Sequence, residues 1–307
     1  MISTHTFRGV VWIDMESPDD KETSEVVRRY GLHPLVGEEL MTPSTLAKFS
    51  MYKDHILIVL NLPVRTRQET GYAIVDREID FVIGKNFLIT CRYGAIDQLE
   101  YFSKISEANS ILDKSDKVEH AGNLFYYMMK RLYKGMFEDL ENMRDALLST
   151  ETKIFNGDER HMVESLSYLS REIIDFKQTA RVHLDIWNDM IALSDTSIFG
   201  KDFIPYLHDI RNEFIRINEL ISNCRELLAD LRETNDSLVN TKQNEIIKIL
   251  TLVSFIFYPL TFITAVFTMP SPETPIIAGH QGWNIVMIGM AILAGLMWWY
   301  FKKRKWI

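Results

Sequence analysis

Cysteine is nearly absent. Cys91 and Cys224 are the only two in 307 residues, and they sit in unrelated segments with no ligand spacing. That fits free thiols in a reducing compartment rather than a disulfide framework. The chain has no glycine-rich phosphate loop, no HExxH, no CxxC and no Ser/His/Asp pattern on recognisable elements, and its eight histidines are dispersed. An enzyme is therefore the least supported class. Basic charge is in deficit, with 34 Lys and Arg against 42 Asp and Glu and a net charge of −8. This balance argues against a nucleic-acid partner and suits cations. The first ten residues, MISTHTFRGV, lack the apolar core of an export signal, so the polar part of the chain is expected not to be exported.

Long uncharged runs are also absent until the last sixty residues, where two occur almost back to back. Ile249 to Met269 reads ILTLVSFIFYPLTFITAVFTM, and Trp283 to Phe301 reads WNIVMIGMAILAGLMWWYF. Each is close to the ~20 residues that cross ~30 Å of hydrocarbon as a helix. Lys302, Lys303, Arg304 and Lys305 follow the second run, Lys242 and Lys248 precede the first, and Pro270 to Gly282 between them has no Lys or Arg. The positive-inside rule then puts both termini in the cytoplasm and the short loop outside. Trp298, Trp299, Tyr300 and Trp306 form an interfacial belt at the inner end of the second span.

Upstream, residues 1–115 read as a cytoplasmic α/β domain. Gly9 to Met15, Ile56 to Leu62, Ile79 to Ile83 and Phe87 to Cys91 are β-branched and aromatic-rich, and Gly84-Lys85-Asn86 reads as a hairpin turn. Lys21 to Tyr30 and Glu38 to Phe49 are expected to be short helices. Residues 116–200 turn to helical period and are expected to form two antiparallel helices. The first carries Leu124, Met128, Leu132, Met136, Leu140, Met143 and Leu147; Asn156-Gly157-Asp158 breaks it, and the second runs from about Glu159 to Leu193. Residues 201–248 carry a seam of Leu207, Ile210, Phe214, Ile217, Ile221, Cys224, Leu228, Leu231, Asn235 and Leu238 in alternating steps of three and four. With no Pro or Gly between Tyr206 and Tyr258, one helix is expected from about Pro205 to Met269. The seam fits self-assembly or packing on the preceding helix. Residues 249–307 complete the chain as two spans, a short outside loop and a basic cytoplasmic tail.

The first span has a polar face. Asn244, Ile247, Thr251, Ser254, Tyr258, Thr261, Ala265 and Thr268 recur in steps of three and four, while the other faces carry mostly Leu, Ile, Val and Phe. Polar groups in hydrocarbon are costly unless they meet protein or water. The stripe fits either a helix–helix interface or the wall of a water-filled path, and two spans enclose a path only in a cyclic oligomer. Ile247 and Leu250, at the cytoplasmic entrance, suit a hydrophobic gate that closes by dewetting.

At these residues the chain resembles the CorA family of divalent-cation channels. YPLTFITA at Tyr258 to Ala265, the two-span C-terminus, the ending FKKRKWI, VVWIDM near the start, FVIGKNFLIT from Phe81, IPYLHD from Ile204 and KQNEIIKIL from Lys242 carry the resemblance, which covers the whole chain. It implies a homopentamer. Its cytoplasmic part would be a funnel of α+β domains, with long helices feeding a two-span membrane hairpin whose first span lines the pore. Divalent cations, membrane lipid and further copies of the chain would be the partners. There would be no cofactor beyond Mg²⁺ as transported or regulatory ion, and the location would be a bacterial or archaeal inner membrane.

The family ends its pore-lining span in Gly-Met-Asn, whose Asn and carbonyls meet the hydrated cation. Here those positions read Thr268-Met269-Pro270, and the family's loop motif Met-Pro-Glu-Leu is replaced by a loop containing Glu273 and His280. A ring of Thr268 hydroxyls, carbonyls freed near Val266 and Phe267 by Pro270, and Glu273 at the mouth are the candidate substitutes. Glu273 and His280 equally fit solvated loop positions. The resemblance also implies metal sensing between cytoplasmic domains, and Asp209 matches the stalk acid. Its expected partner segment, Asn61 to Thr70, carries Arg65 and Arg67 and only Glu69 as an acid, so Asp209 fits a cation site or an Asp–Arg bridge between subunits. Glu226 and Glu233 are further candidate cation ligands on the stalk, or plain solvated acids. The leading function is a Mg²⁺ channel. The alternatives are a zinc-type or proton-coupled transporter, or a non-conducting assembly on the same scaffold.

Overall fold

The computed structural model describes residues 2–7, 9–44, 46–68, 71–102, 120–193, 198–269, 282–304 and 306. The chain divides into two compact units, Met1–Arg232 and Glu233–Ile307.

The first unit is built on a six-stranded sheet in the order β1-β2-β6-β5-β4-β3. The strands are β1 (Ile2–Phe7), β2 (Val10–Glu16), β3 (Lys48–Met51), β4 (His55–Gln68), β5 (Gly71–Gly84) and β6 (Phe87–Arg92). All neighbours are antiparallel except β2 and β6. The β5–β6 hairpin turns at the expected Gly84-Lys85-Asn86. The run from His55 to Leu60 is buried throughout, as a central strand covered on both faces should be. One face packs on α1 (Asp20–Tyr30) and α2 (Pro34–Glu39) through Ile13, Met15, Leu57, Val59, Val82, Ile89, Val26, Val36 and Leu40. Local chemistry sets these helices. Asp19 and Glu22 form a capping box, Gly31 ends α1 at φ 62°, and Pro34 opens α2 behind His33, whose Nδ1 accepts from the Leu35 N–H.

The helix expected over Glu38 to Phe49 is not there. α2 ends at Glu39, and Lys48–Met51 is an edge strand. Pro43 explains the stop, because the residue before a proline is pushed out of the helical region. β4 and β5 also run well past the apolar stretches that announced them. Their outer halves, from Arg65 to Gln68 and from Gly71 to Asp76, pair only with each other.

The opposite face meets α3 (Ala121–Phe155) and α4 (Glu159–Ala180), with Phe81 edge-on to Phe125 at 5.1 Å. Arg65 pins the outer hairpin to these helices. Its Nε donates to Glu172 at 2.9 Å, its backbone N–H donates to Asp139 at 3.4 Å, and its guanidinium lies 3.7 Å from the Tyr72 ring centre.

The second expected helix is in fact two, because α5 (His183–Ala192) starts anew after Ala180. No glycine or proline marks that break. His183 sits there, fully buried, donating from Nε2 to the Asn61 carbonyl at 2.9 Å. A carbonyl only accepts, so Nε2 carries the proton and Nδ1 accepts from the Tyr133 hydroxyl at 3.0 Å; that hydroxyl accepts from Trp187 Nε1 at 2.7 Å.

Gly200 at φ 72° and a 3-10 turn at Lys201–Phe203 lead into α6 (Ile204–Thr268), which is continuous for 65 residues with Pro259 inside it. Its seam from Leu207 to Leu231 is buried in the first unit. Phe214 stacks on His183 at 5.0 Å, and Cys224 lies beside the Leu140 carbonyl, so this part of the seam packs within the chain on α3 and α5.

Among the described residues, two helices carry a stretch long and apolar enough to cross a membrane, α6 and α7 (Gly282–Lys303). Phe255 and Phe301 approach at 6.5 Å, so the end of the second span returns beside the start of the first.

Candidate functional site

The stripe on α6 is exposed along its length. Asn244, Ile247, Leu250, Thr251, Tyr258, Thr261, Ala265 and Thr268 are open, and Ser254 is half-buried. Because the helix is unbroken, steps of three and four hold these residues within roughly a third of its circumference. The hydroxyls share one arrangement. Thr251 donates to the Ile247 carbonyl at 2.7 Å, Ser254 to Leu250 at 2.9 Å, Thr261 to Phe257 at 2.9 Å and Thr268 to Ala265 at 3.0 Å. Each proton points back into the helix, which leaves the oxygen lone pairs facing out. These four hydroxyls therefore present acceptors along the stripe.

Two prolines shape this stripe. Pro259 has no N–H, so the Phe255 carbonyl loses its ordinary helical donor. Pro270 disfavours helix at Met269, and α6 ends at Thr268. The expectation of a freed carbonyl at Val266 is corrected here, since it accepts from the Met269 N–H at 3.4 Å. The tightening of the last turn to three-residue bonds satisfies it. Met269 is exposed. Pro270, Glu273 and His280 lie outside the described residues.

At the inner end of α7, Lys302 lies 4.9 Å from the Trp298 ring centre and Lys303 5.2 Å from Trp299. Such cation–aromatic pairs suit a headgroup layer.

Asp209 is on α6 in the first unit, and α3 supplies it with partners. Tyr126 donates its hydroxyl to Asp209 Oδ2 at 2.7 Å, and Lys130 Nζ donates to the same oxygen at 3.0 Å. Lys130 also donates to Glu213 at 2.7 Å, and Arg216 lies 3.6 Å from Glu213. The Tyr126 and Lys130 bonds hold the Asp209 carboxyl below the usual carboxylate range. Burial and the bond to Asp209 push the Tyr126 hydroxyl up to about 12. Neither Tyr126 nor Lys130 had any signal in the sequence, because their meeting with Asp209 spans about eighty residues of chain. Arg65 is engaged by Glu172 in its own chain. Glu226 and Glu233 are exposed. No group of three His, Cys, Asp or Glu side chains able to hold a metal occurs among the described residues. The donor set around Asp209 therefore does not fit a resident divalent cation, since an ammonium already stands between the two carboxylates.

One family model, described as the CorA-like Mg2+ transporter protein, matches residues 7–303. The chain belongs to the CorA-like Mg²⁺ transporter family. Among its CorA relatives, the cobalt/magnesium transport protein CorA of Thermotoga maritima is 24% identical over 293 residues, covering 92% of this chain and 80% of that one. The protein of the same description from Methanocaldococcus jannaschii is 22% identical over 309 residues, covering 100% and 94%. The solved structure of the complete CorA magnesium transporter from Methanocaldococcus jannaschii superposes with a TM-score of 0.82 at 21% identity, over 99% of this chain and 94% of that one. The full-length CmaX protein gives 0.73 at 17% identity, over 97% and 89%. The CorA fold thus extends from the sheet through both membrane helices.

Proposed function

We propose that this CorA-like chain carries a divalent cation, Mg²⁺, across the membrane through the axis of a homopentamer lined by the α6 stripe from Asn244 to Thr268. Both termini lie on the cytoplasmic side, as the basic flanks at Lys242, Lys248 and Lys302 to Arg304 favour. The observation that carries the reading is the orientation of the stripe hydroxyls. Mg²⁺ keeps its waters tightly, and those waters turn their protons outward. A passing hydrated ion needs acceptors on the wall, and Thr251, Ser254, Thr261 and Thr268 present acceptors because their own protons are spent on the helix backbone. The transport names of the CorA relatives support the choice of ion.

Thr268 is the last hydroxyl before the mouth and takes the selectivity role, with Met269, Pro270 and Glu273 completing the entrance. A hydroxyl ring has weaker dipoles than an amide ring, so affinity and discrimination among divalent cations are low. Ile247 and Leu250 form the gate. The test is ion flux into liposomes carrying the purified protein, with Mg²⁺, Zn²⁺, Co²⁺ and Ni²⁺ in parallel, beside native mass measurement in detergent. Mg²⁺ flux from a pentamer supports the proposal. A monomer or dimer removes the pore, and a pentamer without flux identifies a non-conducting assembly.

A further inference from the structure

The junction of α3 and the start of α6 carries a cluster of four charges with no unpaired member. Asp209 and Glu213 are one helical turn apart on α6, so their carboxylates share a face and repel. Lys130 rises from α3 between them, 3.0 Å from Asp209 and 2.7 Å from Glu213. Tyr126, one turn before Lys130 on the same face of α3, adds a hydroxyl to the Asp209 oxygen that Lys130 bonds. Arg216 stands on the outer side of Glu213. Two carboxylates meet two cations, and the cluster keeps no net charge with which to draw a divalent ion. Burial opposes the Lys130 charge, but the bonds to Glu213 and Asp209 outweigh it and raise the Lys130 pKa, so the ammonium persists across the physiological range.

A bare pair of carboxylates on a stalk helix, facing a second helix, is an arrangement that a divalent cation can tie. In this chain the tie is covalently part of the protein. We propose that Lys130 is a built-in replacement for a regulatory divalent cation. Its ammonium bridges Asp209 and Glu213 inside one protomer, so the docking of the stalk on α3 is independent of free cations. The stalk stays docked when cytoplasmic Mg²⁺ falls and when it rises, and control of any transport by the cation level does not act through this junction. The inference does not depend on whether the pore conducts, because it concerns the docking of two helices.

The experiment is hydrogen exchange on the full-length protein in detergent, in EDTA and in millimolar Mg²⁺, read over residues 121–135 and 204–220. The parent is expected to give superimposable exchange in both conditions. Lys130→Gln removes the ammonium and keeps a polar side chain of similar reach. In EDTA its exchange over both segments is expected to rise about five-fold, the loss of two half-exposed ion pairs. Mg²⁺ is expected to return it to the parental rate, because the two carboxylates then take the ion. Lys130→Arg keeps the charge and is expected to stay cation-independent. Lys130→Gln combined with Asp209→Asn and Glu213→Gln has no carboxylates left, and Mg²⁺ is expected to have no effect on it. Protection of the parent by Mg²⁺ in these segments overturns the proposal. So does a Lys130→Gln protein that exchanges like the parent in EDTA, or one that loosens and is not restored by Mg²⁺. None of these outcomes is a flux measurement, so a failure of the transport reading is recorded separately.

Discussion

Acidification should loosen the first unit through His183, and the size of the effect follows from its surroundings. The ring is fully buried, with Nε2–H committed to the Asn61 carbonyl and Nδ1 to the Tyr133 hydroxyl. Burial pushes its pKa from the ordinary 6.5 to about 4, against a small upward pull from the Asn61 carbonyl. The folded state therefore refuses a proton that the unfolded chain accepts between those two values. In that window the unfolded state binds more protons, so stability falls as pH falls, beginning near 6.5 and levelling off below 4. The full difference is about 3 kcal/mol, of which about 2 kcal/mol is lost by pH 5. Against a typical net stability of about 5–15 kcal/mol, this is a large share. Trp187 donates to Tyr133 in the same network, so its fluorescence is the natural probe. The assay is denaturant unfolding of the full-length protein in detergent at pH 7 and pH 5, for the parent and for His183→Gln. Glutamine offers one donor and one acceptor but does not titrate. The variant is expected to be less stable at pH 7, with an acid loss smaller than the parent's by about 2 kcal/mol. An identical acid loss in both proteins would refute the reasoning, because the slope would then belong to other groups, such as His55, whose pKa is also lowered by burial.

Four further outcomes are expected. Leu250→Ser or Ile247→Ser wets the cytoplasmic entrance and should raise cation leak in liposomes; unchanged flux in both removes them from the gate. Thr268→Val keeps the shape and deletes the outward acceptor, so Mg²⁺ flux should fall and ion preference change, and parental behaviour denies the hydroxyl ring a role. Arg65→Ala leaves Glu172 buried without its cation and should cost about 3–5 kcal/mol of unfolding free energy. Asp80 on β5 is fully buried, and neither carboxylate oxygen has a hydrogen-bond partner. Burial and the nearby Glu78 and Glu39 raise its pKa well above the usual range, so it destabilises the fold increasingly as pH rises toward that value. Asp80→Val should stabilise by about 1–3 kcal/mol and flatten the decline in melting temperature as pH rises above the ordinary carboxylate range.

What the chain spelled out locally was its periodicities. Two charge-free runs, the basic flanks, the seam from Leu207 and the stripe from Asn244 each follow from spacing alone, because a helix repeats every 3.6 residues whatever it packs against. They were enough to announce the membrane hairpin, the stalk and the exposed polar face, and the quoted motifs placed the family. The hairpin turn at Gly84 was legible for the same reason, since short-range chemistry decides it. Other features needed the tertiary structure. The break at Arg181-Val182 has no breaker residue and coincides with His183, whose partners come from Asn61 and Tyr133. The polar outer end of β4, Arg65 to Gln68, becomes strand because it pairs with Gly71 to Ile74 of β5. The seam left open whether it binds another copy or its own chain, and burial of Leu207 to Leu231 against α3 and α5 answered that for the first unit. The chemistry of Asp209 was undecidable from spacing, because Tyr126 and Lys130 reach it from about eighty residues away. Long-range pairing of charges has no period to read. It exists only once α3 and α6 lie side by side, and that turns an apparent cation ligand into one half of an internal ion pair.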